Sequence, residues 1–187
     1  MKKISFKVGA IVFLVLSSYT LQAQETCGGT IEPSPDCSNS GRKYKVSCCR
    51  DGYRFLGVAY TDIKDQDHVD AVSAYCLSPT NEAVLVSDFS RTPKQFLCEY
   101  YERAVGIESK EVLTDGGSRK DELDGVSVVC LKPGDANPHT VPNKDMKGDR
   151  EGRDQVVSLD KQILGIAYKE MDKGSSDRAD CVTLVTK

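Results

Sequence analysis

The side chains that could do chemistry recur in step along the chain. Asp67 and Asp70 stand three apart in DHVDAVSAYC, Asp121 and Asp124 in DELDGVSVVC, and Asp177 and Asp180 in DRADCVTLVT. Carboxylate pairs of this kind can supply oxygen ligands to calcium. They also have a plainer use, because aspartate ahead of a strand bonds the nearby backbone and fixes a turn. Three copies at equivalent places favour the turn, since each repeat needs one. His68 lies inside the first pair, but Glu122 and Arg178 take its place in the others; it is read as an exposed loop histidine.

Other constellations are thinner. The segment NKDMKGDREGRD sets Asn143, Asp145, Gly148, Asp149, Glu151 and Asp154 near the places of a calcium-binding EF-hand loop. Lys147 occupies a ligand position, Asp154 replaces the usual terminal Glu, and prolines precede it where a helix should enter. The expectation is a flexible, solvated loop. No G-x-S-x-G, H-E-x-x-H or phosphate-loop pattern occurs. Carboxylates for a hydrolase can be picked at will from 28 acids, so their presence carries no weight. Among eight tyrosines, Tyr60 and Tyr168 match in position and Tyr100–Tyr101 are adjacent. Tyrosine can stack on sugars or serve an interface; ordinary packing at half-buried strand positions is the expectation. No cofactor is expected.

The elements behind these residues form a repeat. Glycine sits at one place in CRDGYRFLGVAY, CEYYERAVGIES and VSLDKQILGIAY, as Gly57, Gly106 and Gly165. Each run leads through a polar loop to the D-x-x-D phrase and then an alternating stretch. The second acids, Asp70, Asp124 and Asp180, are 54 and 56 residues apart. Apolar residues recur with a period of two in VSAYC and VSVVC, which predicts strands with one wet face. A central glycine weakens a strand unless a bulge or a close backbone approach requires it, and its threefold recurrence points to such a need. Further strands are predicted at KYKVSC, EAVLVSDF, QFLCEYY and DQVVSL, giving an all-β chain.

Eight cysteines follow an export-type leader, Met1 to Ala23, with Lys2, Lys3 and Lys7 ahead of a short apolar core. They are read as disulfides formed outside the cytoplasm. Zinc is disfavoured: there is no C-x-x-C, and His68 and His139 are isolated. Eight residues before the shared glycine lie Cys49, Cys98 and Val157, while Cys76, Cys130 and Thr186 end the alternating strands. Repeat three lacks both cysteines, and partners vanish together because an orphan thiol is reactive. The predicted bonds are therefore Cys49–Cys76 and Cys98–Cys130. For the other four, strand alternation favours Cys48–Cys181 with Cys27–Cys37.

Without the leader, residues 24–187 hold 22 basic and 28 acidic groups, a net of −6. That argues against a nucleic-acid partner, and no apolar run is long enough to span a membrane. The expected organisation is a single domain over 24–187, with repeats at about 27–78, 79–132 and 133–187. Three small sheets that share one core would let each bury its apolar face.

The C-x-x-G-x-x-x-x-G unit, followed by an acidic loop and a Cys-ending strand, resembles the repeat of vitelline membrane outer layer protein I. CRDGYRFLGVAY carries the likeness best, and the other units keep the second glycine. The resemblance runs from Tyr44 to Lys187; the chain departs from it in having no Trp and no cysteine pair in its third unit. It implies a β-prism of three Greek-key, four-stranded sheets with pseudo-threefold symmetry. It also implies a matrix or surface-layer setting, secreted, periplasmic or at the cell surface. The expected function is a monomeric, non-catalytic binding or coat module, its partner a glycan or an envelope protein; lectins share the prism. Dermatopontin-like proteins and the C-terminal β-domains of apicomplexan perforin-like proteins have a similar repeat. The latter would make this a membrane-recognition module with exposed apolar tips. A secreted hydrolase is the third alternative.

Overall fold

A computed structural model describes residues 27–34, 37, 43–62, 68–113, 119–146, 153–170 and 178–187. These contain twelve strands: β1 Thr30–Ile31, β2 Lys45–Cys48, β3 Arg54–Asp62, β4 Val69–Leu77, β5 Ala83–Leu85, β6 Lys94–Leu97, β7 Arg103–Leu113, β8 Arg119–Leu131, β9 His139–Thr140, β10 Arg153–Val157, β11 Ile163–Glu170 and β12 Ala179–Thr186. They pair antiparallel into a first sheet β5-β4-β3-β6, a second β10-β7-β8-β9 and a third β1-β12-β11-β2. Each is a Greek key: a long central hairpin, a third strand beside its second arm, and a fourth that returns beside its first. The molecule is an all-β prism with pseudo-threefold symmetry. The third sheet begins with the C-terminal hairpin and is completed by the N-terminal strands, so both chain ends close the prism.

The hairpins share one register around their glycines. Val58 faces Ala74 across the first, Ile107 faces Val128 across the second, and Ile166 faces Leu184 across the third. All six are essentially inaccessible to solvent and meet in one core cluster. No single sheet could bury that face. Truncating one of them, as in Ile107→Ala, removes contacts worth about 2–5 kcal/mol.

The glycines have the predicted cause. Pairing steps from Phe55↔Cys76 to Gly57↔Tyr75, from Ala104↔Cys130 to Gly106↔Val129, and from Ile163↔Thr186 to Gly165↔Val185. Leu56, Val105 and Leu164 are thus the extra residues of three matching bulges. A Cβ on Gly57, Gly106 or Gly165 would intrude on the backbone carbonyl of Phe96, Val156 or Ser47 in the adjoining fourth strand. The bulge brings the strands too close for any side chain.

All eight cysteines are bonded. Cys49–Cys76 joins the third sheet to the first, and Cys98–Cys130 joins the first to the second. The remaining expected pairs are not formed: Cys27 bonds Cys48, and Cys37 bonds Cys181. Strand alternation shows which side a cysteine faces, whereas the route of the N-terminal segment decides its partner. Cys27 lies just ahead of β1, where Gly29 packs against Leu164 and Val185; Cys37 lies beyond β1, near β12.

The third corner also differs from the linear alignment. Cys49 N donates to Leu164 O, Cys98 N to Leu56 O, and Ser158 N to Val105 O. Ser158, rather than Val157, therefore stands in the cysteine's place, because the turn before Gly165 is one residue shorter than its counterparts.

Candidate functional site

The acids singled out by spacing lie towards the hairpin ends of the sheets. Residues 63–67 and 171–177, including Asp67 and Asp177, lie outside the described residues, as does the side chain of Asp121. The second acids share one unforeseen position. Pairing steps from Thr61↔Ala71 to Asp62↔Val69, from Lys110↔Gly125 to Glu111↔Leu123, and from Lys169↔Cys181 to Glu170↔Ala179. Asp70, Asp124 and Asp180 are the skipped residues, so they sit in strand bulges and not in the expected turns. Asp124 forms an ion pair with Lys110 at 2.9 Å, and Asp180 is buried. The three acids belong to three different sheets. Among the described residues, the ligand-type group that lies close together is Cys98, Glu102 and Cys130, whose sulfurs are already bonded to each other.

His68 is half-buried, one residue ahead of β4. The segment read as a solvated loop behaves differently over its first four residues. Asn143 and Met146 are buried, and Asn143 Nδ2 donates to Tyr60 Oη at 2.9 Å and to Val126 O at 3.0 Å. Tyr60 donates to Asp145 Oδ2 at 2.6 Å, and Lys94 Nζ reaches the same oxygen at 2.5 Å while also pairing with Asp62. This network fastens the second sheet's loop to the first sheet. Burial, then the Asp145 carboxylate, hold the Tyr60 hydroxyl far above the ordinary tyrosine range. Burial alone would raise Asp145, but the hydrogen bonds from Lys94 and Tyr60 outweigh it and lower its pKa. Burial alone would lower Lys94, but its bonds to Asp145 and Asp62 exceed that cost and raise it. Residues 147–152 lie outside the described ones.

The opposite end, where the turns enter β3, β7 and β11, presents the more open chemistry. Glu99–Glu102 form a tight turn, closed by Glu102 N donating to Glu99 O at 2.9 Å and by Glu99 N donating to Glu102 Oε2 at 3.1 Å. Its two central residues are Tyr100 and Tyr101, 60% and 62% exposed. The equivalent turn in the first unit is Arg50-Asp51-Gly52-Tyr53, closed by Tyr53 N donating to Arg50 O, with Gly52 at φ 81°. Asp and Gly suit such places and aromatic residues do not; neither tyrosine is there for the core. Arg54 stiffens the turn from below, Nη1 donating to Glu102 O at 2.8 Å and Nη2 to Tyr100 O. Glu102 is only 3% exposed; its carboxylate holds the turn and lies 3.6 Å from His139 Nε2.

Beside the turn is a depression of about 590 Å³, lined by both tyrosines, Arg54, Arg103, Asn81, Lys132 and Asp135. A second depression, of about 350 Å³, adjoins it through Arg54 and Arg103. Its lining includes the three equivalent pairs Arg54–Phe55, Arg103–Ala104 and Gln162–Ile163, so it straddles the pseudo-threefold axis. Planar aromatic faces beside fixed polar donors are what a sugar ring needs: its C–H face stacks and its hydroxyls are bridged. The spacing of the acids gave no hint of this site. The legible signal was EYYE standing where the first repeat has RDGY.

No protein-family model matches the chain, and no curated protein matches its sequence. Solved structures share its fold. Calystegia sepium agglutinin aligns with a TM-score of 0.52 at 9% identity, over 85% of this chain and 96% of that one. Calsepa lectin in complex with a bisected glycan aligns with 0.52 at 9% identity, over 85% and 97%. Malaysian banana lectin gives 0.49 at 12% identity, over 86% and 99%. At such identities the likeness concerns the fold alone.

Proposed function

We propose that this protein is an exported, non-catalytic carbohydrate-binding module whose glycan stacks on Tyr100 and Tyr101. The observation that carries the reading is the pair of solvent-facing aromatic rings at the centre of a turn pinned by Arg54 and the Cys98–Cys130 bridge. A preformed, stiff platform loses little entropy when a ligand docks. The β-prism neighbours support it, since those proteins are lectins and one was solved with a glycan bound. Four disulfides fit an oxidising, extracellular setting, and the repeat motif fits a matrix or coat role of the vitelline membrane type, acting as a monomer.

A glycan array followed by titration calorimetry tests the proposal. Tyr100→Ala combined with Tyr101→Ala should abolish measurable binding and leave the melting temperature within about 2 °C. Retention of full affinity would refute the assigned site.

One observation favours a second reading. Leu159, in the shorter turn of the third unit that corresponds to Glu99–Glu102, is 45% exposed at the same end, which gives the tips an apolar surface for a lipid interface. No helix among the described residues is long and apolar enough to cross a membrane. Pelleting with neutral and anionic liposomes separates the two, because the glycan module stays in the supernatant.

A further inference from the structure

We infer that the axial depression is an anion subsite, so that the saccharide held on the tyrosine turn is an acidic one whose carboxylate or sulfate lies between Arg54 and Arg103. The inference rests on the carbohydrate reading and adds the charge of the ligand.

The pairing of cations carries it. Lys45 pairs with Glu170, Lys94 with Asp62 and Asp145, Lys110 with Asp124, Arg153 with Glu108, and Lys161 with Glu32. Arg54 and Arg103 are outside these pairs. Among the described residues Arg54 bonds only the carbonyls of Glu102 and Tyr100, and Arg103 only that of Leu159, at 2.9 Å. Arg91 also bonds only a carbonyl, that of Asp62, but it lines neither depression. Carbonyls orient a guanidinium without neutralising it, and each group has five N–H donors. Unspent donors and two full charges therefore remain where the two depressions meet.

The surroundings sharpen that charge. Phe55, Ala104 and Ile163 make the axial lining apolar, which strengthens any ion pair formed there. Asp160 and Asp135 stand on the rims with Lys132, Lys161 is already paired with Glu32, and the Glu102 carboxylate is buried under its own turn; the two guanidiniums are the cations common to both depressions. Their planar forks match carboxylate and sulfate oxygens in a way that lysine cannot. The whole chain is net negative, −3 by formal charge, so diffuse attraction of a polyanion is weak and binding must be local.

The test uses the full, disulfide-bonded chain and matched probes: oligogalacturonate against its methyl ester, and dextran sulfate against dextran. The charged member of at least one pair should bind about tenfold tighter or more, as charged hydrogen bonds imply, with the preference fading between about 50 and about 300 mM salt. The two pairs tell carboxylate from sulfate. Arg103→Gln should erase the preference, Arg103→Lys should keep part of it, and Lys144→Gln at the far end should leave it intact. Equal binding of charged and neutral forms overturns the acidic subsite and spares the carbohydrate reading. Binding of none of the probes, with an empty glycan array, overturns both. A loss with Lys144→Gln equal to that with Arg103→Gln also overturns it, since the attraction would be diffuse. The comparison of acid and ester needs no variant, so a misfolded Arg103→Gln cannot hide the outcome.

Discussion

A methyl group at Gly57, Gly106 or Gly165 would run into a carbonyl of the neighbouring strand, because the bulge beside each glycine draws the backbones together. Alanine at any one of them should cost about 1–3 kcal/mol or more, read as a lower urea midpoint with an unchanged slope. Gly52, in an open turn, is the contrasting case for its positive φ alone. At the other end, Asp145 makes a prediction about pH. Its carboxyl is lowered in the fold, so its contribution is present above the unfolded value of about 3.9 and drains as pH falls through the folded one. Lys94 and Tyr60 are raised; their contributions are whole below their unfolded values, about 10 for each, and fade as pH rises through the folded ones. Asp145→Asn should therefore flatten the acid limb of the melting curve against pH, below about pH 4. An unchanged acid limb would show that the network adds nothing. Sequence made the glycines legible, since three copies at one position signal a shared backbone need. It could not expose the Tyr60–Asp145–Asn143 contact, which joins residues more than 80 positions apart.

Among the elements, the corners of the prism separate what is shared from what is particular. Two corners are bridged, and the third holds Ser158 and Thr186 in the cysteine places. Ser158→Cys with Thr186→Cys should close a third bridge and add about 2–4 kcal/mol, whereas Val157→Cys with Thr186→Cys should leave two free thiols. Peptide mapping under oxidising conditions decides between them. A bridge in the Val157→Cys pair and none in the Ser158→Cys pair would overturn this register. The hairpin end shows a related substitution. Cys37 N bonds Ser34 O as Met146 N bonds Asn143 O, and Cys181 matches Gly125 in the pairing. The Cys37–Cys181 bridge thus takes the place where Met146 packs on Gly125, whose missing Cβ leaves it room. One sheet uses a covalent bond for what another does with a thioether.

Across the whole molecule, closure is the vulnerable step. The third sheet joins β1 and β2 to β11 and β12, and the Cys37–Cys181 bridge spans 144 residues. Such non-local pairing closes a long loop at an entropic cost, which a bridge formed early offsets. With Cys37→Ala and Cys181→Ala, amides of β1 should exchange faster while Val58 and Ile107 stay protected, as hydrogen exchange will show. Equal protection throughout would mean that the N-terminal strands hold without it. The same closure fixes the functional end: Arg54, Arg103 and Gln162 come from three units, and the prism sets them around one axis.

Local chemistry determined much of this protein. The all-β character, the threefold repeat, the need for its glycines and the bonds Cys49–Cys76 and Cys98–Cys130 were all readable, because each depends on spacing within a unit that the chain writes more than once. Tertiary structure alone decided the partners of Cys27, Cys37, Cys48 and Cys181, the place of Ser158, and the bulged positions of Asp70, Asp124 and Asp180. It also decided that Tyr100 and Tyr101 stand in solvent beside two guanidiniums that bond carbonyls instead of carboxylates. Those facts depend on how distant units meet, and a single pass along the chain carries no measure of distance between them.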